Sequence, residues 1–199
     1  GPQRKRMQSE KDRKLAAYHE AGHAIVGHFL KKVDPVHRIS IVSRGMSGGH
    51  TLFPPTEDRL NETKSRLLEQ ISAALGGQAA EELIFKDVST GAASDISVAT
   101  QIARQMVMEY GMSSLGPMTL QPKSMFGIWR GMDEGGEMSP QLHNEVDREV
   151  KKIMDQAFKL AEKILKVQRV KLDKVAKQLL EKETLESDEF EKLVGKKKS

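Results

Sequence analysis

The sequence predicts a mainly α-helical domain with a small β element near residues 36–53. Three observations carry this. Leu142, Val146, Val150, Ile153, Ala157, Leu160 and Ile164 repeat at helical spacing for about seven turns after Ser139-Pro140. The β-branched, alternating stretches are short, at 36–42 and 50–53, and turn residues bound them. Hydrophobic residues make up 38% of the chain, and with 16 Gly the apolar share reaches roughly 46%, an ordinary globular value.

The elements follow in order. A first helix is expected from about residue 9 to 32, with Leu15, Ala16, Ile25, Val26, Phe29 and Leu30 among its apolar positions. Residues 36–42 read as a strand. Met46-Ser47-Gly48-Gly49 is turn material, His50-Thr51-Leu52-Phe53 is extended, and Pro54-Pro55 stops it. Thr56 is the expected N-cap of a second helix, with Glu57 and Asp58 in its first turn. That helix should reach Leu75 and end at Gly76-Gly77. A shorter helix is expected over 78–85 and another over 95–109, with Gly111 beyond. Residues 113–138 hold five Gly and two Pro and read as loop, with a short strand at 118–120. Ser139 then caps a helix with Pro140 at its first position. Weaker helices follow, the last over 187–194. There are no internal repeats.

Length and charge narrow the function classes. A chain of 199 residues suits one domain. No run approaches 18 apolar residues, so a membrane span within this segment is not expected. With no cysteine there is neither a disulfide scaffold nor a thiolate metal site. Of 32 basic residues, Arg4, Lys5, Arg6, Lys196, Lys197 and Lys198 lie in acid-free end runs. The net charge of +4 less these six is −2 for the remainder. The basic character therefore lives in the ends, and with 5% aromatics no nucleic-acid partner is expected. Gly1-Pro2 resembles a cleaved-tag remnant. Residues 1–8 are accordingly read as tag remnant and linker, 9–195 as the domain and 196–199 as a basic tail.

His19-Glu20-Ala21-Gly22-His23 is an H-E-x-x-H sequence. Helical residues four apart share a face, so His19 and His23 can place two imidazole nitrogens on one Zn2+. Glu20, projecting from the neighbouring face, can hydrogen-bond a metal-bound water and take its proton, which is the chemistry of peptide hydrolysis without a covalent intermediate. Small residues crowd the same turns: Ala16, Ala17, Ala21, Gly22, Ala24 and Gly27. Gly in a helix costs about 1 kcal/mol relative to Ala, so something should approach this helix closely.

A catalytic zinc needs a third protein ligand and an open position. His28 lies about 180° around the same helix and reads as a surface or partner-contact residue. The longer motif with a further His at 29 is absent, since that residue is Phe29, and His37, His50 and His143 lie in unrelated contexts. Glu81, Glu82 and Asp95 remain, and spacing does not choose among them. Asp95 equally suits a helix N-terminal acid.

Several ordered blocks together carry a resemblance. They are His19-Glu20-Ala21-Gly22-His23-Ala24; Gly48-Gly49-His50-Thr51 leading to Pro54; Gly76-Gly77-Gln78-Ala79-Ala80-Glu81-Glu82; Thr90-Gly91-Ala92-Ala93-Ser94-Asp95-Ile96; and Tyr110-Gly111-Met112-Ser113. From about Lys14 to Val194 the chain resembles the peptidase domain of FtsH, the membrane-anchored AAA+ zinc metalloprotease family. The resemblance implies a helical zincin-like peptidase fold with one Zn2+ per chain. It makes Asp95 the third ligand, beside His19 and His23, with Glu20 as general base. It places Glu81 where it would orient a ligand His through the other ring nitrogen. Gly48, Gly49, His50 and Thr51 would belong to an edge strand on which an unfolded substrate adds as a further strand.

The chain departs from the family's pattern at Gln78, where Arg is common, at His50, where Tyr is frequent, and over 123–137, which keeps Phe126-Gly127 and Arg130. No Gly-x-x-x-x-Gly-Lys-Ser/Thr loop occurs, so ATP would be bound only by a module upstream. The resemblance further implies a homo-hexamer in the full-length protein, unfolded polypeptides as substrates and no membrane contact by this segment. The expected location is the cytoplasmic face of a bacterial plasma membrane, the alternative an organellar inner membrane. The competing functional reading is a catalytically silent helical oligomerisation module with a structural or empty metal site.

Overall fold

The computed structural model describes residues 9–42, 48–120 and 138–199. The readings made for residues 1–8, for Met46-Ser47 and for the divergent 123–137 segment with Phe126-Gly127 and Arg130 lie outside these. The mainly α architecture is as expected: six α-helices and one three-stranded sheet among the described residues.

Helix α1 spans Glu10–His28 and starts on Ser9, whose hydroxyl oxygen accepts the Asp12 N–H at 3.1 Å. It ends earlier than the apolar pattern suggests. Lys197, from the far end of the chain, donates its ammonium to the carbonyls of Gly27, His28 and Leu30 and so closes this helix end. Lys197 is thus docked on the end of α1.

Strands β1 (Arg38–Ser40) and β2 (His50–Leu52) pair antiparallel, with Ile39 opposite Thr51. On its other side β1 pairs antiparallel with β3 (Thr184–Glu186), Ile39 facing Leu185. The order β2-β1-β3 leaves β2 at an edge of the sheet. β3 was not expected: three residues carry no periodicity of their own, and only the distant pairing defines them. At 118–120 the expected strand is absent; Leu120 instead bonds its N–H to the Met108 carbonyl at 2.8 Å.

Helix α2 spans Lys64–Phe85 without interruption. Two expectations are corrected here. Its N-cap is Thr63, because the Thr56 hydroxyl is engaged with Asp34 Oδ1 at 3.2 Å. Gly76 and Gly77 do not end it. They lie mid-helix where α1 and α2 cross: a Cβ on Gly77 would stand 2.4 Å from the His19 ring, and one on Gly76 2.7 Å from the Gly22 carbonyl oxygen. The glycines serve close approach, and packing overrides their low helix propensity.

After a 3-10 turn at Thr90–Ala92 come α3 (Ala93–Met108), α4 (Pro140–Val167), α5 (Arg169–Lys182) and α6 (Ser187–Val194). α4 starts as predicted, Ser139 Oγ accepting the Leu142 N–H with Pro140 at the first position. Its buried seam is Val146, Val150, Ile153, Ala157, Ala161 and Leu165, while Leu160 turns outward. Two apolar clusters result. One joins α1 to the sheet, α5 and α6; the other joins α2, α3 and α4. α1 and α2 pack against each other between them, and the site lies along that crossing. Among the described residues no helix is long and apolar enough to cross a membrane.

Candidate metal centre

The four-residue spacing puts His19 and His23 one turn apart on α1, both buried, their rings edge-to-face with centroids 4.7 Å apart. The Nδ1 of each ring points away from the other. His23 Nδ1 donates to the Ala73 carbonyl on α2 at 2.8 Å. His19 Nδ1 donates to Glu81 Oε2, also on α2, at 2.7 Å. With both Nδ1 atoms donating, both Nε2 atoms of the neutral rings present lone pairs. The two Nε2 lie 3.0 Å apart.

α3 supplies the third group. Asp95, in its first turn, sets Oδ2 3.0 Å from His19 Nε2 and 3.1 Å from His23 Nε2. Of the three carboxylates that spacing left open, Asp95 is the one brought onto both imidazoles. Glu81 is fully buried behind His19, where its second oxygen also accepts the Ser89 N–H at 3.0 Å, and Glu82 is exposed. Among the described residues no other set of three or more His, Cys, Asp or Glu converges in this way.

The electrostatics are those of a site made for a cation. Burial disfavours charge on His19, but the Asp95 and Glu81 carboxylates outweigh it and hold the ring up to about 10. Burial likewise opposes ionisation of Asp95 and Glu81, yet the adjoining His19 ring, and for Asp95 the His23 ring as well, lowers both from the ordinary carboxylate value. Three lone-pair atoms about 3 Å apart repel one another unless a proton or a metal ion stands among them. Ligands held 2.0–2.1 Å from a tetrahedral Zn2+ are roughly 3.3 Å apart, so this N, N, O triangle fits that ion.

Glu20 is buried and lies beside the triangle, lining the hollows on both of its flanks. The hollow of about 590 Å³ also takes in His23, Phe53 and Ala73; the one of about 620 Å³ takes in His19, Gly49 and Ser94. β2 runs past Glu20. The Thr51 hydroxyl donates to Glu20 Oε2 at 2.8 Å, with the Glu20 carbonyl 3.1 Å away. Gly49 has φ +149°, and a Cβ there would stand 2.7 Å from the Ser40 carbonyl oxygen and 3.2 Å from Glu20. His50 is half-buried on β2, and neither it, His37 nor His143 joins the triangle.

His28 corrects the sequence reading: it is buried, its ring edge-on to Phe190 at 5.3 Å. It does lie opposite His19, but α1 is enclosed on that side by α5 and α6. Two contacts had no sequence signal. The Ala73 carbonyl is backbone, and the Thr51–Glu20 bond depends on how β2 docks onto α1.

Comparison with known proteins finds relatives along nearly the whole chain. It is 49% identical over 197 residues to an "ATP-dependent zinc metalloprotease FtsH 1" of Thermoanaerobacter sp. (strain X514), covering 97% of this chain and 32% of that protein. It is 50% identical over 198 residues to the "ATP-dependent zinc metalloprotease FtsH" of Caldicellulosiruptor bescii, covering 98% and 32%. With an "ATP-dependent zinc metalloprotease FtsH 1" of Thermomicrobium roseum the identity is 47% over 196 residues, covering 97% and 30%. The chain spans about a third of the length of these curated relatives. The model of peptidase family M41 matches residues 6–193, from before α1 to within α6. A match of that extent takes in both helices of the crossing, the edge strand and the start of α3, and the chain belongs to peptidase family M41.

Proposed function

We propose that residues 9–195 form the zinc endopeptidase domain of a membrane-anchored, ATP-dependent protease that hydrolyses unfolded or membrane polypeptides. The observation that carries this reading is the convergence of His19 Nε2, His23 Nε2 and Asp95 Oδ2 beside a buried Glu20. His19, His23 and Asp95 would hold the ion. A bound Zn2+ would polarise the scissile carbonyl and acidify a water in its open position.

Glu20 takes the proton of the attacking water on its carboxylate and returns it to the departing amide nitrogen. Glu81 and the Ala73 carbonyl fix the ligand rings through Nδ1, so that both Nε2 lone pairs face the ion. β2, free of a strand on its outer side among the described residues, offers backbone groups of residues 48–51 to an extended substrate. Pairing through the backbone suits substrates of varied sequence.

The relatives' names support the ATP dependence, and in this reading ATP is bound by a module upstream of this segment. A homo-hexamer at the cytoplasmic face of a bacterial membrane completes the proposal. Glu20→Gln is the test. It should retain zinc by elemental analysis and lose casein cleavage; cleavage at the unsubstituted rate would overturn the mechanism. Asp95→Ala should lose the zinc itself.

A further inference from the structure

We propose that Thr51 is a positioning residue for Glu20, so that the strand offered to the substrate also sets the base. The inference rests on the reading of Glu20 as general base and goes beyond it to what aims the carboxylate. A glutamate has three side-chain torsions, and a base must be held within about half an ångström of its working position. α1 fixes only the Cα of Glu20. The crossing with α2 is lined by glycine backbone and the side chains of Val26 and Ala80, with the ring of His19 against Gly77, and none of these gives the carboxylate a donor.

The donor comes from β2. Thr51 lies at the middle of the strand, opposite Ile39 of β1, and its hydroxyl reaches Glu20 Oε2 at 2.8 Å. That single proton serves the carboxylate in preference to the more distant Glu20 carbonyl at 3.1 Å. Two residues earlier, Gly49 backs the same side chain, with room for no Cβ between the Ser40 carbonyl and the carboxylate. One oxygen of Glu20 is thereby tied to the strand. The other lies on the Gly49 side, and the side chain borders both hollows beside the triangle. β-Branching gives Thr51 a stiff χ1 on a strand held in register by β1, so its hydroxyl is a fixed reference point. The outer edge of β2 is also where a substrate backbone would pair. Strand pairing and base orientation therefore share three residues, 49 to 51.

The experiment compares Thr51→Val, which keeps the shape and removes the donor, with Thr51→Ser, which keeps the donor. Three measurements are made on each: zinc content, kcat and KM on a fluorogenic peptide, and the dissociation constant of a peptide hydroxamate, whose zinc-binding group also hydrogen-bonds a base carboxylate. Thr51→Val should keep its zinc and hold KM within about twofold while kcat falls about tenfold or more, and Thr51→Ser should recover most of the loss. Hydroxamate binding should weaken about fivefold or more in Thr51→Val, and within about twofold not at all when Thr51→Val is added to Glu20→Ala, because the two act as one unit.

An unchanged kcat and hydroxamate affinity in Thr51→Val would overturn the proposal, as would a loss that Ser does not rescue or one that persists undiminished in the Glu20→Ala background. The hydroxamate arm reads out whether or not peptide turnover is measurable. Failure of the general-base reading is separate: it would show as full activity in Glu20→Gln, whatever Thr51 does.

Discussion

Gly22 of α1 and Gly76 of α2 meet backbone to backbone: a Cβ on Gly22 would lie 2.3 Å from the Gly76 carbonyl oxygen and 2.6 Å from Ala80 Cβ. The crossing carries His19 and His23 on one helix and Ala73 and Glu81 on the other, so the separation of the helices sets both Nδ1 hydrogen bonds. Gly22→Ala gains helix propensity of about 1 kcal/mol but forces the helices apart, a net loss of about 2–3 kcal/mol. Urea unfolding should show this, together with weaker zinc retention. Gly48→Ala, with open space around its Cβ, should change stability by less than about 0.5 kcal/mol. Equal stability of the two variants would refute the account.

The same crossing explains which parts of the fold were legible in the sequence. His19 and His23 share a face because the helical repeat dictates it, and local sequence suffices for that. Gly76-Gly77 read locally as a helix end, yet they are interior, because tertiary contact with Gly22 and His19 outweighs propensity. Asp95 stayed one of three candidates, since only the docking of α3 against α2 brings it to the imidazoles of α1. Thr56 has cap chemistry, but Asp34 recruits its hydroxyl and leaves the cap to Thr63. The position of His28 around the helix was readable; its burial was not, because the sequence does not show α5 and α6 closing over that face.

His28 makes stability pH-dependent in a definite direction. Burial, then the nearby Lys197 and Lys171 ammonium groups, push the ring down to about 4, against a smaller opposing bond between its N–H and the Gly195 carbonyl. As pH falls from the ordinary value of 6.5 to about 4, the unfolded chain takes up this proton and the folded chain does not. The contribution is therefore present above pH 6.5 and lost towards pH 4. With the lysines partly screened by solvent the loss is about 1–2 kcal/mol. His28→Gln should flatten the difference in unfolding free energy between pH 7 and pH 4.5 by that amount relative to the unsubstituted chain. Parallel pH profiles would show that His28 does not titrate in this way.

Lys197 anchors the end of the chain to the end of α1. Its ammonium stands 2.7, 3.1 and 2.6 Å from the carbonyl oxygens of Gly27, His28 and Leu30. A cation at a partly buried helix C-terminus contributes up to about 2 kcal/mol, and charge-assisted hydrogen bonds add to it. Lys197→Met keeps the stem and removes the donor, and thermal unfolding should show a loss of about 2 kcal/mol. Lys196→Ala and Lys198→Ala, which lack these partners, should stay within about 0.5 kcal/mol. If all three substitutions behaved alike, the lysines would be serving only as bulk charge.

Glu81 faces two donors at once, the His19 Nδ1–H on one oxygen and the Ser89 N–H on the other. Glutamine has one acceptor oxygen, so in Glu81→Gln an amide NH2 must confront one of those N–H groups inside a fully buried pocket. The change also removes the negative charge that makes His19 a stronger electron donor through its far nitrogen. Either the ring tilts or the 3-10 turn at Thr90–Ala92 shifts, and that turn leads directly into Asp95. Zinc affinity, measured by competition with a chromophoric chelator, should fall about 10–100-fold, with the helical circular dichroism signal retained. Glu81→Asp, which keeps both acceptors on a shorter stem, should lose less. Undiminished affinity in Glu81→Gln would mean that the orientation of His19 is set by α1 and Gly77 alone.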